Sequence, residues 1–493
     1  MNEEVHKYNR VARLHDHLFK TNILCKYPQP LSNMSTKLLE TISTLSERAQ
    51  ELAQPDESRS PIWDIYNNQW HPASNPGGYV SIGVAENTLM RDELCDYINS
   101  TPKVTGEAFT YGDGPTGTKR LRKAVARFLN RKLDPVVPVD FEHVVVTNGV
   151  STAIEHTSWT FCNPGDGFLL GQPYYGSFIA DMNLRPNVEV IKVPFQDVDP
   201  MSLAGVANYE KAILSARERG VAVKALMLCS PHNPLGRCYS RETIIEYLQL
   251  CEKYQIHFVS DEIYALSVWK NQHDTNPPPV DFTSVLSIPL DGIINPSLVH
   301  VLYGMSKDFG ANGLRLGYII SQHNPAFLKA LIEICIYSYS SSVSEIIAAD
   351  ILENDEWVDR FIATNQARLS ENHSFVVQFL KRHNIPYSHG SNAAFFLWAD
   401  LGQAYSRRQI MKENANEDLT KRVMNLLLQN KVFLASGANF GAERPGVFRM
   451  VFSQPKPYLE EALKRVVEAL GLDTAISDAV QKAEMLELGK SKL

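Results

Sequence analysis

The chain has 493 residues and a formal net charge of −7, with 44% hydrophobic and 21% charged residues. This length suits a large core and two domains, and the composition is ordinary for a soluble globular protein. The acidic balance argues against nucleic acid as a partner, because proteins that bind it present a basic face. No apolar run reaches the length of a membrane span, and the polar N-terminus is not a secretory signal. The histidines and cysteines form no HExxH motif or ligand cluster, so we predict no metal site.

Two features of the sequence bear on the compartment of the cell. The seven cysteines are odd in number and form no CxxC pair, which predicts a reducing compartment. The chain ends in Ser491-Lys492-Leu493, and a C-terminal Ser-Lys-Leu is an address read by the peroxisomal import receptor. The alternative is a polar tail that ends this way by chance. We expect a peroxisomal protein, which would be cytoplasmic without this address.

The order of the predicted elements indicates an α/β fold. Residues 1–30 are predicted to form an irregular arm, residues 36–53 a helix and residues 79–84 a short strand. From residue 118, short β-branched runs alternate with helical patterns, which predicts a mostly parallel sheet covered by helices. The predicted strands are 143–147, 168–170, 188–193, 224–229, 257–260, 298–303 and 316–321, and the helices between them include 118–131, 151–161 and 241–254.

The last third of the chain has fewer apolar strands. A helical pattern begins near residue 339 and continues past residue 380, as a long connector would. Strand patterns at 394–398, 432–434 and 447–452 follow, which predicts a smaller α+β domain. We predict an N-terminal arm with a small-domain segment at 1–90, a large domain at 91–340, the C-terminal small domain at 341–475 and a tail at 476–493.

Several polar side chains follow predicted strands directly, at the sheet edge where ligands bind in open α/β folds. The turn after strand 143–147 contains Gly149, Val150 and Ser151, and the helix that starts there offers N–H groups and a positive dipole end to a phosphate. The alternative is a simple βα turn in which Ser151 caps the helix. Asn233 follows another strand in an Asn-Pro turn, which places an amide donor at the same edge.

An aromatic pair and an acidic residue occupy two further strand ends. Tyr175 is placed to lie flat against a heteroaromatic ring, or else packs in the interior as we expect for Tyr174. Asp261 has apolar neighbours, so burial would require a partner, and a ring nitrogen kept protonated would serve. The alternative for Asp261 is a surface acidic pair with the next residue. Tyr264 is placed to donate to the phenolic oxygen of such a ring.

One lysine and two arginines complete the pattern. Lys307 lies in the segment LYGMSKDFGANGLRLG, eight residues before Arg315. A lysine that reacts with a carbonyl needs a neutral amine and nearby cations, and an arginine fork suits a phosphate. The chemistry of pyridoxal phosphate (PLP) requires this arrangement, with Lys307 as the Schiff-base lysine. Arg449 lies inside an apolar strand and needs an anion, either a substrate α-carboxylate or an internal Asp or Glu.

In this order along one chain, the motifs resemble those of the fold-type I PLP-dependent enzymes of the aspartate aminotransferase superfamily. The resemblance is closest to 1-aminocyclopropane-1-carboxylate (ACC) synthase and the ACC synthase-like proteins, and it covers about residues 75–475. It is carried by Ala85-Glu86-Asn87, the GTKRLRKAVARFL helix from Gly117, Pro173-Tyr174-Tyr175, Asn233-Pro234-Leu235-Gly236, Ser260-Asp261-Glu262-Ile263-Tyr264, Ser306-Lys307-Asp308-Phe309-Gly310 with Arg315, and Phe448-Arg449. It implies PLP in the domain at 91–340 and a homodimer in which both subunits line each site.

The resemblance implies a role for each candidate residue. The catalytic residues would be Lys307, which forms the Schiff base and moves the proton, Asp261, which pairs with the ring nitrogen, and Tyr264. The cofactor would be held by Val150, Ser151, Ser306 and Arg315 at its phosphate, by Tyr175 stacked on its ring, and by Asn233 and Tyr264 at its O3′ oxygen. The substrate would be bound by Ala85, Glu86, Asn233 and Arg449, with Arg449 on its carboxylate.

Two positions depart from the family pattern. Gly304 stands where ACC synthases have a phosphate-binding serine, and Pro115 stands where they have a tyrosine that reaches the neighbouring subunit's cofactor. Tyr111 is near enough in sequence to replace that tyrosine. Both losses remove phosphate contacts. They put ACC synthesis from S-adenosylmethionine in doubt more than they threaten PLP binding, since Ser306 and Arg315 remain.

The reaction that the resemblance implies begins with removal of the α-proton of an amino acid bound to PLP as a Schiff base. We expect an aminotransferase of the ACC synthase-like group, with a place in specialised-metabolite biosynthesis. The alternatives are a PLP-dependent lyase, by carbon–sulfur β-elimination or ACC synthase-type γ-elimination, and a catalytically inactive PLP-fold protein. The intact set of Asp261, Lys307, Arg315 and Arg449 argues against inactivity. Glu86 favours amino acids with a cationic or leaving-group side chain, unless it is only a helix-start carboxylate.

Overall fold

The computed structural model describes residues 41–53, 62–101, 103–407 and 418–472. The predicted arm at 1–30 and the tail at 476–493 lie outside the described residues. The peroxisomal address therefore stays a prediction.

The elements follow the predicted alternation. The α-helices whose bounds lie within the described residues are α1 (Glu47–Ala53), α2 (Ile62–Asn67), α3 (Arg91–Ser100), α4 (Lys119–Lys132), α5 (Val150–Phe161), α6 (Phe178–Asn183), α7 (Val206–Glu218), α8 (Arg241–Tyr254), α9 (Pro325–Ile334), α10 (Ser342–Glu353), α11 (Asp355–Arg382), α12 (Leu401–Ser406), α13 (Leu419–Gln429) and α14 (Lys456–Leu470). The strands are β1 (Val80–Ser81), β2 (Val144–Thr147), β3 (Gly167–Gly171), β4 (Glu189–Val193), β5 (Val223–Cys229), β6 (His257–Asp261), β7 (Val299–Gly304), β8 (Gly317–Ile320), β9 (Phe396–Asp400), β10 (Val432–Phe433), β11 (Ala435–Ser436) and β12 (Val447–Val451).

A seven-stranded sheet forms the centre of the larger part of the molecule. Its order is β2-β8-β7-β6-β5-β3-β4, and only the two pairs that contain β8 are antiparallel. Alternate residues of its strands belong to two hydrophobic clusters, one with α4, α7 and α8 and the other with α5, α6 and α9. Helices therefore cover both faces, which explains the continuous apolar strands of the sequence. The predicted α/β fold with a mostly parallel sheet is confirmed.

Two small sheets form the rest of the strand structure. In one, β12 pairs in antiparallel fashion with β9 and β11, and in the other β1 pairs in parallel with β10. A separate hydrophobic cluster joins these strands to α11, α13 and α14. Val80 pairs with Val432, so residues near the N-terminal end of the described chain complete the smaller part of the fold. The exact domain bounds stay predictions.

The structure differs from the sequence-based elements at two places that matter for the site. The predicted long connector is two helices, because Asn354 ends α10 and its side chain caps α11 by accepting from the Trp357 N–H at 3.1 Å. The predicted strand 79–84 shrinks to the two residues of β1, and the chain then runs irregularly into Ala85 and Glu86. Within the described ranges, no helix has the length and hydropathy of a membrane span, and no group of side chains could hold a metal ion.

Candidate active site

One cavity collects most of the predicted site residues at the carboxyl ends of the central strands. It is lined by Val150, Ser151, Tyr175, Asn233, Asp261, Tyr264, Ser306, Lys307 and Arg315, together with Ile154, Phe178, Cys229, Ile263 and Asn312. Strands β5, β6 and β7 run in parallel and end at this edge, which is why residues about 80 positions apart in sequence meet here.

The start of α5 and the Arg315 side chain form one corner of this cavity. Gly149 precedes α5 with a positive φ of 83°, and a Cβ atom built on it would lie 2.4 Å from Nη2 of Arg315. The guanidinium therefore packs directly on the turn before Val150, at the positive end of the helix dipole. A cation beside the free N–H groups of a helix start is suited to a phosphate.

Lys307 follows β7 and points back toward the N-terminal segment. Its Nζ donates a hydrogen bond to the Ala85 carbonyl oxygen at 2.8 Å. Burial lowers the pKa of Lys307 to about 8, the Arg449 guanidinium adds to the decrease, and the Glu86 carboxylate opposes it. A neutral amine, which a nucleophile or a general base needs, is therefore accessible near neutral pH.

Asp261 is the last residue of β6. Its carboxyl group is buried, and the protein offers it few hydrogen bonds. It is 4% exposed, and its Oδ1 accepts one hydrogen bond, from the Ile263 N–H at 3.2 Å. Burial raises the pKa of Asp261 to about 7, while the Ile263 N–H and Lys307 lower it. The surface acidic pair considered from the sequence is wrong. Tyr264 is also buried, with its ring edge-on to Phe396 at 5.2 Å.

Arg449 comes from the smaller part of the fold and contacts the cavity residue Asn233, but it does not itself line the cavity. It is 3% exposed, and it donates to Asn233 Oδ1 at 3.0 Å and to the Gly83 carbonyl at 2.7 Å. Its guanidinium lies between the rings of Phe396 and Phe440, at 4.8 and 4.6 Å from their centroids. Its Nε is buried and has no partner, and no ion pair with an Asp or Glu is found for it among the described residues. The internal acidic partner considered from the sequence is therefore not found.

The contact with Arg449 also orients Asn233. Because the amide oxygen of Asn233 accepts from the guanidinium, its NH₂ group is the part left to donate toward the cavity. Glu86 lies apart from the lining residues. Burial, together with the Glu86 carboxylate, raises the pKa of Tyr66 on α2 to about 12.

One of the two departures from the family pattern, Gly304, has a simple local explanation. A Cβ atom on Gly304 would lie 2.6 Å from the Leu316 carbonyl oxygen, so the β7–β8 contact leaves no room for a serine there. Tyr111 is 88% exposed, and its backbone carbonyl accepts from the Tyr339 hydroxyl at 2.8 Å. It is not among the lining residues of the cavity within this chain. Tyr174 is buried against Gly441, as expected, while Tyr175 lines the cavity edge-on to Phe178.

Several residues of the site were not predicted from the sequence. The aromatic rings around Arg449 come from β9 and from the turn before β12, more than forty residues apart. Asn312 has a buried Oδ1 without a partner and lines the cavity two residues after the motif glycine Gly310. No spacing signal could have found them, because they meet only through tertiary packing.

These groups fit PLP. The buried Asp261 accepts a hydrogen bond but none from a cationic group, which suits a protonated ring nitrogen. Lys307 has the lowered pKa that reaction with an aldehyde requires. Arg315 packed on the start of α5 offers the charge and the N–H groups that a phosphate needs.

Comparisons with known proteins agree with this fit. The family model for aminotransferase class I and II matches residues 84–466. The 1-aminocyclopropane-1-carboxylate synthase-like protein 1 of Homo sapiens is 31% identical over 455 residues, which are 90% of this chain and 87% of that protein. The probable aminotransferase sirI of Leptosphaeria maculans is 30% identical over 432 residues, covering 86% of this chain and 98% of that protein.

Solved structures show the same fold. The aspartate aminotransferase of Thermotoga maritima matches with a TM-score of 0.62 at 22% identity, over 87% of this chain and 100% of that one. The chain therefore belongs to the class I and II aminotransferase family, as a fold-type I PLP enzyme close to the ACC synthase-like proteins.

Proposed function

We propose that this protein is an aminotransferase that removes the α-proton of an amino acid with the amine of Lys307. The observation that carries the proposal is the Lys307 side chain itself, buried, hydrogen-bonded to Ala85 and lowered in pKa to about 8. It lies in the same cavity as Asp261 and near an arginine that has an unpartnered Nε. PLP, when bound, supplies an electron-withdrawing ring that stabilises negative charge on the substrate's α-carbon.

Each remaining residue has one task in this proposal. Arg449 binds the substrate carboxylate, because a buried guanidinium without an acidic partner gains most from an anion. The Lys307 amine takes the α-proton and returns it at another atom as the general acid. Asp261 keeps a proton on the ring nitrogen. Asn233 and Tyr264 would hold the ring oxygen of PLP, and Tyr175 would pack on its ring.

In this proposal, the chain segments that follow β2 and β7 bind the phosphate group of PLP. Arg315, the first N–H groups of α5 from Val150, and the hydroxyls of Ser151 and Ser306 bind the phosphate. Ala85 holds the Lys307 amine through its carbonyl when the lysine is free. Glu86, next to it, is the group that selects the substrate side chain.

The name of one relative supports transamination, since sirI is called a probable aminotransferase, whereas the Homo sapiens relative is called ACC synthase-like. Purified protein with PLP is mixed with a panel of L-amino acids and a keto-acid acceptor, with Lys307→Ala as the control. A visible absorption band that needs Lys307, and keto acid formed from one substrate, are the expected results. Ammonia or thiol without an acceptor would mean a lyase instead. A protein without the band, or with the band and no product from any amino acid, would contradict the proposal in favour of an inactive PLP-fold protein.

We further propose a homodimer. The resemblance to the fold-type I PLP enzymes implies a dimer, and this chain exposes Phe109, Tyr111 and Tyr337 by 79%, 88% and 81%. Large aromatic side chains exposed to this degree are typical of a contact surface. Sedimentation velocity of the wild type and of Tyr337→Glu checks this. The expected result is a dimer that the variant weakens, and a monomer at all protein concentrations would contradict it.

A further inference from the structure

Asn312 lines the candidate site and has no task in the proposed function. It is the first residue of a short 3-10 turn, Asn312–Leu314, that leads into Arg315. Its side-chain oxygen, Oδ1, is buried and has no hydrogen-bond partner among the described residues. A buried polar atom without a partner costs free energy, so one that lies in the wall of a cavity is suited to a ligand.

The backbone of Asn312 holds the Arg315 side chain in place. The Asn312 carbonyl oxygen accepts a hydrogen bond from Nη1 of Arg315 at 2.9 Å. Nη2 of the same guanidinium packs on Gly149, at the start of α5. The side-chain amide of Asn312 is only a few covalent bonds from that carbonyl. It therefore belongs to the corner of the cavity at which the proposed function places the phosphate.

This corner has room for a further donor. A phosphate group presents three strong acceptor oxygens, and each can accept more than one hydrogen bond. Gly304, at the end of β7, contributes no side chain, because a Cβ atom there would lie 2.6 Å from the Leu316 carbonyl oxygen. A donor from the turn at Asn312 would reach the phosphate from the side of Arg315.

The amide of Asn312 can present either of its two ends to the cavity. A carboxamide has an acceptor oxygen at one end and an NH₂ group with two donors at the other. A half-turn about the last side-chain bond exchanges Oδ1 and Nδ2 with little change in shape. No described residue donates to Oδ1, so no such bond holds the oxygen in its position. A phosphate oxygen would favour the orientation in which the NH₂ group points inward.

We propose that Asn312 is a further ligand of the cofactor phosphate: its amide NH₂ group donates to a phosphate oxygen beside the Arg315 guanidinium. This inference rests on the proposed function, which places the phosphate at this corner. Asn312 acts as a neutral donor that contacts the phosphate and not the pyridine ring. Its substitution should therefore change affinity for the phosphate group alone.

The first test is calorimetric titration of inorganic phosphate into the apo-proteins of the wild type, Asn312→Ala and Asn312→Asp. Loss of one hydrogen bond to a charged group should weaken binding about tenfold in Asn312→Ala. Asn312→Asp has nearly the same shape, but its carboxylate repels the phosphate, so we expect a loss of about 100-fold. Both variants keep the backbone carbonyl that holds Arg315.

The control variant is Gly313→Ala, in the same turn. Gly313 is exposed, and a Cβ atom on it would meet no other atom within 4 Å. Gly313→Ala should therefore bind phosphate as the wild type does. If Asn312 had only a structural role as an acceptor, Asn312→Asp would keep wild-type affinity, since it retains the oxygen. That result would overturn the inference, as would a loss in Gly313→Ala equal to that in Asn312→Ala.

The second test compares PLP with pyridoxal, which lacks the phosphate group. Asn312→Ala should weaken the binding of PLP about tenfold and leave the binding of pyridoxal unchanged. The comparison is made within one folded variant, so a general loss of stability would not produce it. Equal losses for the two ligands would also overturn the inference.

These measurements separate the inference from the proposed function. Inorganic phosphate senses the corner at Arg315 without any chemistry at Lys307. If phosphate affinity depends on Asn312 as expected but the wild type never forms the visible PLP band, the proposed function fails and the role of Asn312 stands. If the band forms and both Asn312 variants bind phosphate and PLP as the wild type does, only the inference fails. If the wild type binds neither ligand, both fail.

Discussion

Two neighbouring residues, Asp261 and Glu262, show how this protein treats a buried charge in two ways. Glu262 accepts from Ser284 Oγ at 2.6 Å, from the Val285 N–H at 2.9 Å and from Ser260 Oγ at 3.0 Å. Asp261 accepts one hydrogen bond, at 3.2 Å. Since both are buried, the difference lies in what the protein provides. Glu262 holds its own loop in place, whereas Asp261 keeps its capacity for a ligand.

The two buried arginines of the smaller part repeat the contrast. Arg465 pairs with Glu461 at 2.7 Å and donates to the carbonyl oxygens of Gly78 and Lys431, so its charge is used within the fold. Arg449 has no acidic partner in the described ion pairs and keeps an unpartnered Nε. A buried charge that the protein satisfies stabilises the fold, and one that it leaves underpaired marks a binding site.

The largest expected effect is the difference between substituting Lys307 and substituting the next residue, Asp308. Lys307→Ala should lower turnover at least about 1000-fold and abolish the visible PLP band, because the general base is lost. Its free energy of unfolding should change little. Asp308 accepts from Ser267 Oγ at 2.7 Å and from Tyr303 OH at 2.8 Å. Asp308→Ala should therefore destabilise the apo-protein by about 2–4 kcal/mol in urea unfolding. Retained turnover in Lys307→Ala would contradict the mechanism.

The second effect is a difference in KM between variants of the two buried arginines, Arg449 and Arg465. Arg449→Lys should raise the KM for the amino acid about 100-fold with the PLP band intact, because a single ammonium cannot replace the fork of a guanidinium on a carboxylate. Steady-state kinetics with the substrate found in the amino-acid panel measure this. Arg465→Lys is the control, and it should lower stability with an unchanged KM. A wild-type KM in Arg449→Lys would mean that the substrate carboxylate binds elsewhere.

The third effect is a difference in stability and in PLP binding between variants of Glu262 and of Asp261. Glu262→Gln should cost about 1–3 kcal/mol of stability, because one of the two accepting oxygens becomes an NH₂ group that cannot accept a hydrogen bond. Asp261→Asn should leave stability unchanged at about pH 4 but weaken PLP binding, since an amide does not hold a protonated ring nitrogen. Urea unfolding of the apo-proteins and PLP titration measure the two outcomes. Equal losses of stability in both variants would remove the distinction between them.

The smallest effect is a pH dependence with a definite sign. The pKa of Asp261 is raised to about 7 in the folded chain, above its ordinary value, so the folded state holds this proton more tightly than the unfolded state. Its contribution to stability is therefore fully present below the ordinary value and is lost as pH rises toward about 7. Asp261→Asn should stabilise the apo-protein by about 1–2 kcal/mol at about pH 8 and not at about pH 4. The opposite sign in urea unfolding would contradict a poorly compensated Asp261.

Much of the fold was predictable because it follows from local patterns. Helix α8 begins and ends where the apolar spacing predicted, and the continuous apolar strands predicted a sheet covered on both faces. The order of strand-end residues was enough to place Asp261, Lys307 and Arg315 in one cavity, because parallel strands end at the same edge. The length of the connector was wrong, since one capping side chain, Asn354, divides it.

The sequence by itself determined the type of fold, the cofactor and the candidate residues of the site, since these depend on local motifs and their order. Tertiary structure alone decided which buried charges are satisfied. The hydrogen bonds of Glu262 and the rings around Arg449 join segments that no periodicity connects. The physical reason is that desolvation and pairing depend on distance in space, and distance along the chain does not reveal them.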